Sequence, residues 1–260
     1  MDFLHREVAA LGGRPVFRLG LAANYGIPEA GIRAAIDRGV NYFFYCLGSG
    51  ELREPLRDAI KANRESVFIA TLPTLGFFGG SVRWGAERVL KRLGTDYLDI
   101  FQLGWLGVSS AWTESTIREL EHLKESGKVR AIGVSIHDRE RAGKLAEDSP
   151  LDQLMIRYNA AHPGAERDIF PHLERRKPMI VAYTATSWRK LLKRPRGWEG
   201  PVMTAGDCYR FCLSSPHVDV ALTAPASTAE LDENLAALAR GPLDADELAW
   251  MRKFGHAVHG

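Results

Sequence analysis

Cysteine is scarce in this chain: three residues in 260, Cys46, Cys208 and Cys212, an odd number and widely spread. That excludes a disulfide framework, and the absence of any CxxC pair or Cys/His cluster argues against a structural zinc site. The C-terminal HAVH is too short and unaccompanied to hold a metal, so none is expected. An excess of either charge is missing as well. Lys and Arg number 34 against 32 Asp and Glu, a net charge of +2, which suggests neither a nucleic-acid nor a membrane surface. No apolar run approaches the ~18 residues of a membrane span. The opening MDFLHREVAALGG lacks the apolar core of a signal peptide. These absences lead us to expect a reduced, cytoplasmic protein, a monomer or homo-oligomer, without nucleic-acid or membrane partners. Low-complexity tracts, linkers and composition shifts are absent too.

What is present is alternation. Strand-like runs lie at Val16–Ala23, Asn41–Cys46, Val67–Leu72, Tyr97–Leu103, Val129–Val134, Leu154–Arg157, Met179–Tyr183 and Val218–Thr223. Helix-like runs separate and close them: Pro28–Arg38, Glu51–Ala62, Ser81–Leu93 with Ser81 as N-cap, Trp112–Ser126, Arg139–Ala146, Ala165–Arg175, Thr204–Leu213, Thr228–Arg240 and Asp244–Val258. Lys190–Pro201 reads as an irregular basic loop. In KRLGTDYLDIFQLG, basic residues and Gly94 end a helix, and the strand that follows is apolar on both faces except at Asp99 and Gln102. Eight such units in this length predict an α/β fold, one (β/α)8 TIM-type barrel over residues 1–260. An open doubly wound sheet is the alternative. It requires a glycine-rich nucleotide turn after its first strand, and GLAANYG is not G-x-G-x-x-G. In a barrel the chemistry belongs at the carboxyl ends of the strands.

Several phrases carry a family resemblance: RGVNYF (38–43), RLGTDYLDIFQL (92–103), LKESGKVRAIGVS (123–135), the YN of IRYNAAHPGAE (156–166), VAYT (181–184) and TAELDENLAAL (228–238). From strand one to the helix after strand eight, the chain resembles the aldo-keto reductases. The resemblance implies a barrel that holds NADPH across its mouth and reduces carbonyls with an aspartate, tyrosine, lysine and histidine at strand ends. In that scheme a tyrosine, its pKa lowered by the lysine, protonates the carbonyl oxygen. Here the aspartate position falls on Phe44, the lysine on Leu72 and the histidine on Gly104. The tyrosine falls in a shortened segment before Glu51, where no residue matches it. Tyr42 and Tyr45 are close by, although strand alternation sets them on another face or layer from Phe44. Without a neighbouring cation a tyrosine stays near pKa ~10 and is a poor acid at neutral pH. Phe44 and Leu72 substitute two apolar groups for an ion pair, an exchange often neutral for stability.

The cofactor positions are better kept. The resemblance assigns Ser135 to the nicotinamide amide, with Ile136 and Met155 replacing the family's asparagine and glutamine. It keeps Tyr158 and Asn159, places Tyr183 under the nicotinamide ring, and sets Glu233 and Asn234 at the adenine end. Ser227 precedes a helix whose N-terminus is a natural anion site. No Lys or Arg between Thr223 and Asn234 is available for a 2′-phosphate, so the cofactor is NADP or NAD. Outside the family pattern, His137, Arg157, Asn24, Tyr25 and Trp105 all fall near the mouth. His137, Arg157 and Tyr45 are the candidate replacement acid–base groups, and Arg157 suits a carboxylate or phosphate. The expected function is an NAD(P)-dependent oxidoreductase acting on a small carbonyl or alcohol with a non-standard proton donor. The alternatives are a nucleotide-binding or regulatory barrel without turnover (a pseudoenzyme), or different acid–base chemistry built on His137 and Arg157 with another mouth ligand. Each of these side chains also has a purely structural reading: a surface His, an Arg in a salt bridge, a packed Tyr, a serine cap. Cys208 and Cys212, four apart on a helix, read as buried small hydrophobes.

Overall fold

The computed structural model describes residues 2–46 and 49–259. Its strands are β1 (His5–Glu7), β2 (Pro15–Phe17), β3 (Leu19–Leu21), β4 (Tyr42–Tyr45), β5 (Phe68–Thr71), β6 (Leu98–Leu103), β7 (Val129–Ile136), β8 (Gln153–Arg157), β9 (Met179–Tyr183) and β10 (Val220–Thr223). Strands β3 to β10 close into a barrel in which β10 pairs with both β9 and β3, and the barrel pairs are parallel. The eightfold alternation therefore gives the (β/α)8 barrel it predicts. The helices are α1 (Glu29–Asp37), α2 (Gly50–Asn63), α3 (Gly79–Leu93), α4 (Glu114–Glu125), α5 (Arg139–Asp148), α6 (Ala165–Asp168), α7 (Ala205–Ser214), α8 (Thr228–Leu238) and α9 (Ala245–His259). None of the described helices is long and apolar enough to cross a membrane.

Period-two alternation sorts the strands into two apolar layers. Tyr42, Phe44, Phe68, Ala70, Ile100, Met155, Val181 and Leu222 fill the barrel interior. Phe43, Tyr45, Ile69, Phe101, Ile132, Leu154 and Ala221 face outward into the helix layer. Interior polar groups bond to one another: the Tyr42 hydroxyl donates to Gln153 Oε1 at 3.0 Å, and Gln153 Nε2 donates to Gln102 Oε1. Cys208 and Cys212 are buried on α7 in the outer layer, as expected of small hydrophobes.

Three segments differ from the sequence expectation. The run Val16–Ala23 is two elements, because β2 pairs antiparallel with β1 and only β3 enters the barrel. That hairpin closes the amino end of the barrel, where Val8, Leu11 and Val16 join the interior cluster. Ser81 does not cap α3: the helix starts at Gly79, and the Ser81 hydroxyl donates to the Phe78 carbonyl at 2.8 Å. The helix expected over Ala165–Arg175 is the single turn α6 and a 3-10 turn at Phe170–His172, because Pro171 cannot supply an N–H to a continuing helix. Gly94 does end α3 in the left-handed conformation, φ 70°.

The family's tetrad positions pack as apolar structure. Phe44 is buried, and Leu72 lies against the same interior cluster. A side chain at Gly104 would bring its Cβ to 3.2 and 3.4 Å from the Leu72 methyls. Leu72 thus occupies the room a larger residue at 104 needs, and the two positions are mutually adapted. We expect Gly104→His to cost about 1–3 kcal/mol through overpacking. In a Leu72→Ala background the same change should cost less than about 1 kcal/mol. Urea unfolding of the four proteins in this cycle measures the coupling, and additive effects would refute it.

Candidate functional site

The carboxyl ends of β7, β8 and β9 carry the polar wall of the mouth. Ser135 pairs in register with Met155, and Arg157 with Tyr183. Side chains at alternate positions therefore bring Ser135, His137, Arg157 and Tyr183 to the inner side of three adjacent strands. The Tyr183 hydroxyl reaches across β8 to His137, 2.6 Å from Nε2. Trp105, just past β6, packs on the other side of the imidazole with ring centroids 5.3 Å apart. The Arg157 guanidinium lies 6.0 Å from the Trp188 ring.

The electrostatics fix who donates to whom. Burial pushes the Tyr183 phenol up to about 12, outweighing the Arg157 cation and Ser135, which pull it down. Burial, with help from Arg157, holds His137 below its ordinary 6.5. Near neutral pH a protonated phenol therefore donates to a neutral imidazole. His162 lies on the same side of the mouth and is depressed to about 4 by burial and then by Arg157, His259, Lys190 and Arg139. Arg157 gives this quarter of the mouth its positive charge. The opposite quarter, at the ends of β4 and β5, is apolar, with Phe44, Cys46 and Leu72 on the interior cluster.

His137, Arg157, Tyr183 and Ser135 thus converge. Tyr45 does not: it lies in the outer layer, fully buried between β4 and the helices, and its hydroxyl has no partner among the described residues. Burial raises its pKa further. As a mouth acid it is ruled out by strand alternation, since Phe44 takes the inward position. Asn159 lies below the mouth surface. It is fully buried, with Nδ2 donating to Thr184 O at 2.8 Å and Oδ1 accepting from the Ala161 and His162 N–H groups at 3.0 and 2.9 Å. Its amide is engaged in tying two loops together. Tyr158 points outward, donating to Glu166 at 2.7 Å beside an outer cleft of about 410 Å³.

At the expected adenine end, Ser227 is the N-cap of α8 and its Oγ accepts from Glu230 N at 3.2 Å. The Glu230 carboxylate accepts from Ala226 N at 2.8 Å. The helix start is thus capped by its own chain, which supplies a carboxylate where the sequence suggests an incoming anion. Glu233 is exposed, and Asn234 is buried with Nδ2 3.4 Å from Thr223 Oγ1.

One feature of the mouth has no sequence signal. Thr184, Ser187, Trp188 and Arg189, in the loop after β9, all have φ between 50° and 65°. Trp105 also has positive φ, 32°. Non-glycine residues in this region carry roughly 1–2 kcal/mol of strain each. Glycine would have marked such a turn, and ATSWRK contains none. Within the loop, the fully buried Ser187 Oγ has no partner among the described residues.

A barrel with this closure and this mouth can be set beside known proteins. The model of the Aldo/keto reductase family matches residues 22–194, and the chain belongs to that family. Aldo-keto reductase YhdN from Bacillus subtilis (strain 168) is 30% identical over 165 residues, 58% of this chain and 50% of that protein. Methylglyoxal reductase YeaE from Escherichia coli (strain K12) is 29% identical over 163 residues, 60% and 56% of the two chains. The chain spans about half the length of these curated relatives. Among solved structures, an aldo-keto reductase from Klebsiella pneumoniae in complex with NADPH superposes with a TM-score of 0.78 at 22% identity, covering 97% of this chain and 95% of the other. That likeness is one of fold.

Proposed function

We propose that this chain is an NAD(P)-dependent oxidoreductase that interconverts a carbonyl and an alcohol on a small molecule at the barrel mouth, with His137 taking the role of proton donor. The observation that carries the reading is the 2.6 Å contact between Tyr183 and His137 beside Arg157, on three neighbouring strand ends. Membership of a reductase family and relatives named as reductases support it. A nicotinamide nucleotide fits the mouth half of the site. Tyr183 offers a partly exposed aromatic face, Ser135 lies beside it, and the unpartnered Ser187 hydroxyl marks a loop with hydrogen-bonding capacity in reserve. At the adenine end the exposed Glu233 is the group available to the nucleotide, with Asn234 buried behind it. When bound, the nucleotide supplies or accepts the hydride.

The chain's own groups handle the proton. Tyr183 holds the imidazole edge at Nε2 and is itself too weak an acid to do the work of the family's tyrosine. His137, once protonated, is the strongest acid within reach of a carbonyl lying over Tyr183. Trp105 packs against the imidazole, with ring centroids 5.3 Å apart. The apolar packing of Phe44, Leu72 and Gly104 favours a second reading, a barrel that binds the nucleotide without turnover.

The test is a titration of the purified protein with NADPH and with NADH, followed by nicotinamide fluorescence. We expect saturable binding of at least one nucleotide below millimolar concentration. No binding up to that range overturns the oxidoreductase reading. Binding with no turnover over a panel of aldehydes and ketones replaces it with the second.

A further inference from the structure

The mouth is divided into two chemically different halves, and the division specifies what can lie across it. The cationic half is anchored by Arg157. Its neighbours are aromatic rings and neutral imidazoles: the Trp188 ring at 6.0 Å, Tyr183 opposite it in register, and His137 and His162, both of which feel its charge. No carboxylate of the described residues forms a salt bridge with it. A partly buried guanidinium that lacks an internal anion, when most of its counterparts in this chain have one, is poised for an external anion. Arg14, Arg64, Arg83, Arg130 and Arg210, by contrast, each meet an Asp or Glu within 3.1 Å.

The other half was made apolar by the residues that replace the family's ion pair. Phe44 and Leu72 sit on the interior cluster with Cys46 and Ala224. Apolar side chains also line the rim: Leu75 and Val108, on the loops after β5 and β6, and Trp105 and Trp188, beside His137 and Arg157, are each more than half exposed. Tyr25 and Phe78 extend the same rim. A ligand that satisfies both halves needs an anion at one end and a hydrocarbon body at the other.

The placement of His137 fixes the third requirement. Arg157 lies on the strand between those of His137 and Tyr183, and its charge acts on both side chains, so an anion on the guanidinium lies close to a group that reaches the imidazole. A carboxylate directly attached to the reacting carbonyl keeps the two groups that close. Resting on the oxidoreductase reading, we infer that the substrate class is an amphipathic 2-oxo acid or the corresponding 2-hydroxy acid, with its carboxylate on Arg157, its carbonyl oxygen at His137 and its aliphatic or aromatic side chain over Phe44 and Leu72. The carboxylate would also neutralise the charge that helps to keep His137 deprotonated, so substrate binding would ready the proton donor.

Calorimetric titration tests this without turnover. The probes are 4-methyl-2-oxopentanoate and the neutral ketone 4-methylpentan-2-one, which share the branched tail and the carbonyl. The wild-type protein should bind the acid at least tenfold more tightly than the ketone. Arg157→Gln should remove that preference while changing NADPH affinity less than twofold. Arg157→Lys, which keeps the charge but not the bidentate fork, should lie between the two and serves if the glutamine variant does not fold. Equal binding of acid and ketone by the wild type overturns the inference. So does an Arg157→Gln variant that loses NADPH affinity tenfold and keeps its preference for the acid, because Arg157 would then belong to the nucleotide's phosphates. If the wild type binds the acid through Arg157 but binds neither nucleotide, the ligand class stands and the oxidoreductase reading falls.

Discussion

Exchange of His137 for alanine is expected to lower the rate of nucleotide-dependent carbonyl reduction by roughly 10²- to 10⁴-fold, the usual contribution of a positioned general acid. Nucleotide affinity should be unchanged, since no role in holding the nucleotide is assigned to the imidazole. The pH dependence distinguishes this donor from Tyr183. The reductive step needs the imidazolium, whose fraction falls as pH rises. Burial and Arg157 hold His137 below 6.5, so the rate should already be descending on the acid side of that value. Arg157→Gln removes the second of those causes and should move the descent upward toward 6.5. Were Tyr183 the donor, its proton, held to about 12, would give a rate flat through neutrality. Tyr183→Phe removes only the hydroxyl that fixes the imidazole edge, so its defect should be smaller than that of His137→Ala and should keep the same pH profile. Initial rates from pH 5 to 8 for the three variants decide the point. A flat profile together with an unimpaired His137→Ala protein would exclude His137 as the acid.

The fold was more legible in the sequence than the site was, for a physical reason. Barrel strands covered on both faces carry runs of apolar residues bounded by helices with clear stops, such as Lys91–Gly94, and these signals are local. The hairpin that closes the amino end leaves little signal in the sequence, because β1 and β2 are three residues each and carry little periodicity. At the mouth, His137 and Arg157 were legible as residues near strand ends. The hydrogen bond from Tyr183 across the intervening strand depends on register, which no single strand records. Tyr45 and Asn159 show opposite failures. Tyr45 stands next to a family position but faces outward, so adjacency in sequence misled. Asn159 matches the family, yet its hydrogen bonds all go to loop backbone and to His162. At Ser227 the sequence shows the helix start but not its local partners, the Glu230 N–H bonded to the cap and the Glu230 carboxylate accepting from Ala226 N.

Asp99→Ala should be the most destabilising single substitution at the opposite end of the barrel. Asp99 is the second residue of β6, and Asp152 and Asp219 immediately precede β8 and β10. Each accepts from the backbone N–H of an isoleucine on the preceding strand: Asp99 from Ile69 at 2.9 Å, Asp152 from Ile132 at 2.9 Å and Asp219 from Ile180 at 2.7 Å. Each also meets a cation: Arg64 and Arg14 for Asp99, Lys124 for Asp152, Arg6 for Asp219. Aspartate is a poor strand former, and here it extends the hydrogen-bond ladder at the amino end, where barrels keep residues for stability. The side chains differ in exposure, at 1% for Asp99, 17% for Asp219 and 23% for Asp152. Loss of one partner from a buried charge network costs about 3–5 kcal/mol, because the remaining charges stay desolvated. Arg14 retains Glu65, and Arg64 retains the Val67 and Tyr97 carbonyls, which places Asp99→Ala near the lower end, about 3 kcal/mol. For a chain of this size that is a fall in Tm of roughly 6–12 °C. Asp219→Ala should cost less and Asp152→Ala least, since water can replace more of what is removed. Asp58→Ala, which breaks an exposed pair with Arg33 at 2.7 Å, should stay within about 1 kcal/mol of the wild type. Urea unfolding of the four variants gives the order directly. Equal losses at Asp99 and Asp152 would mean that the shared backbone hydrogen bond, and not burial of the charge, sets the stability of this end of the barrel.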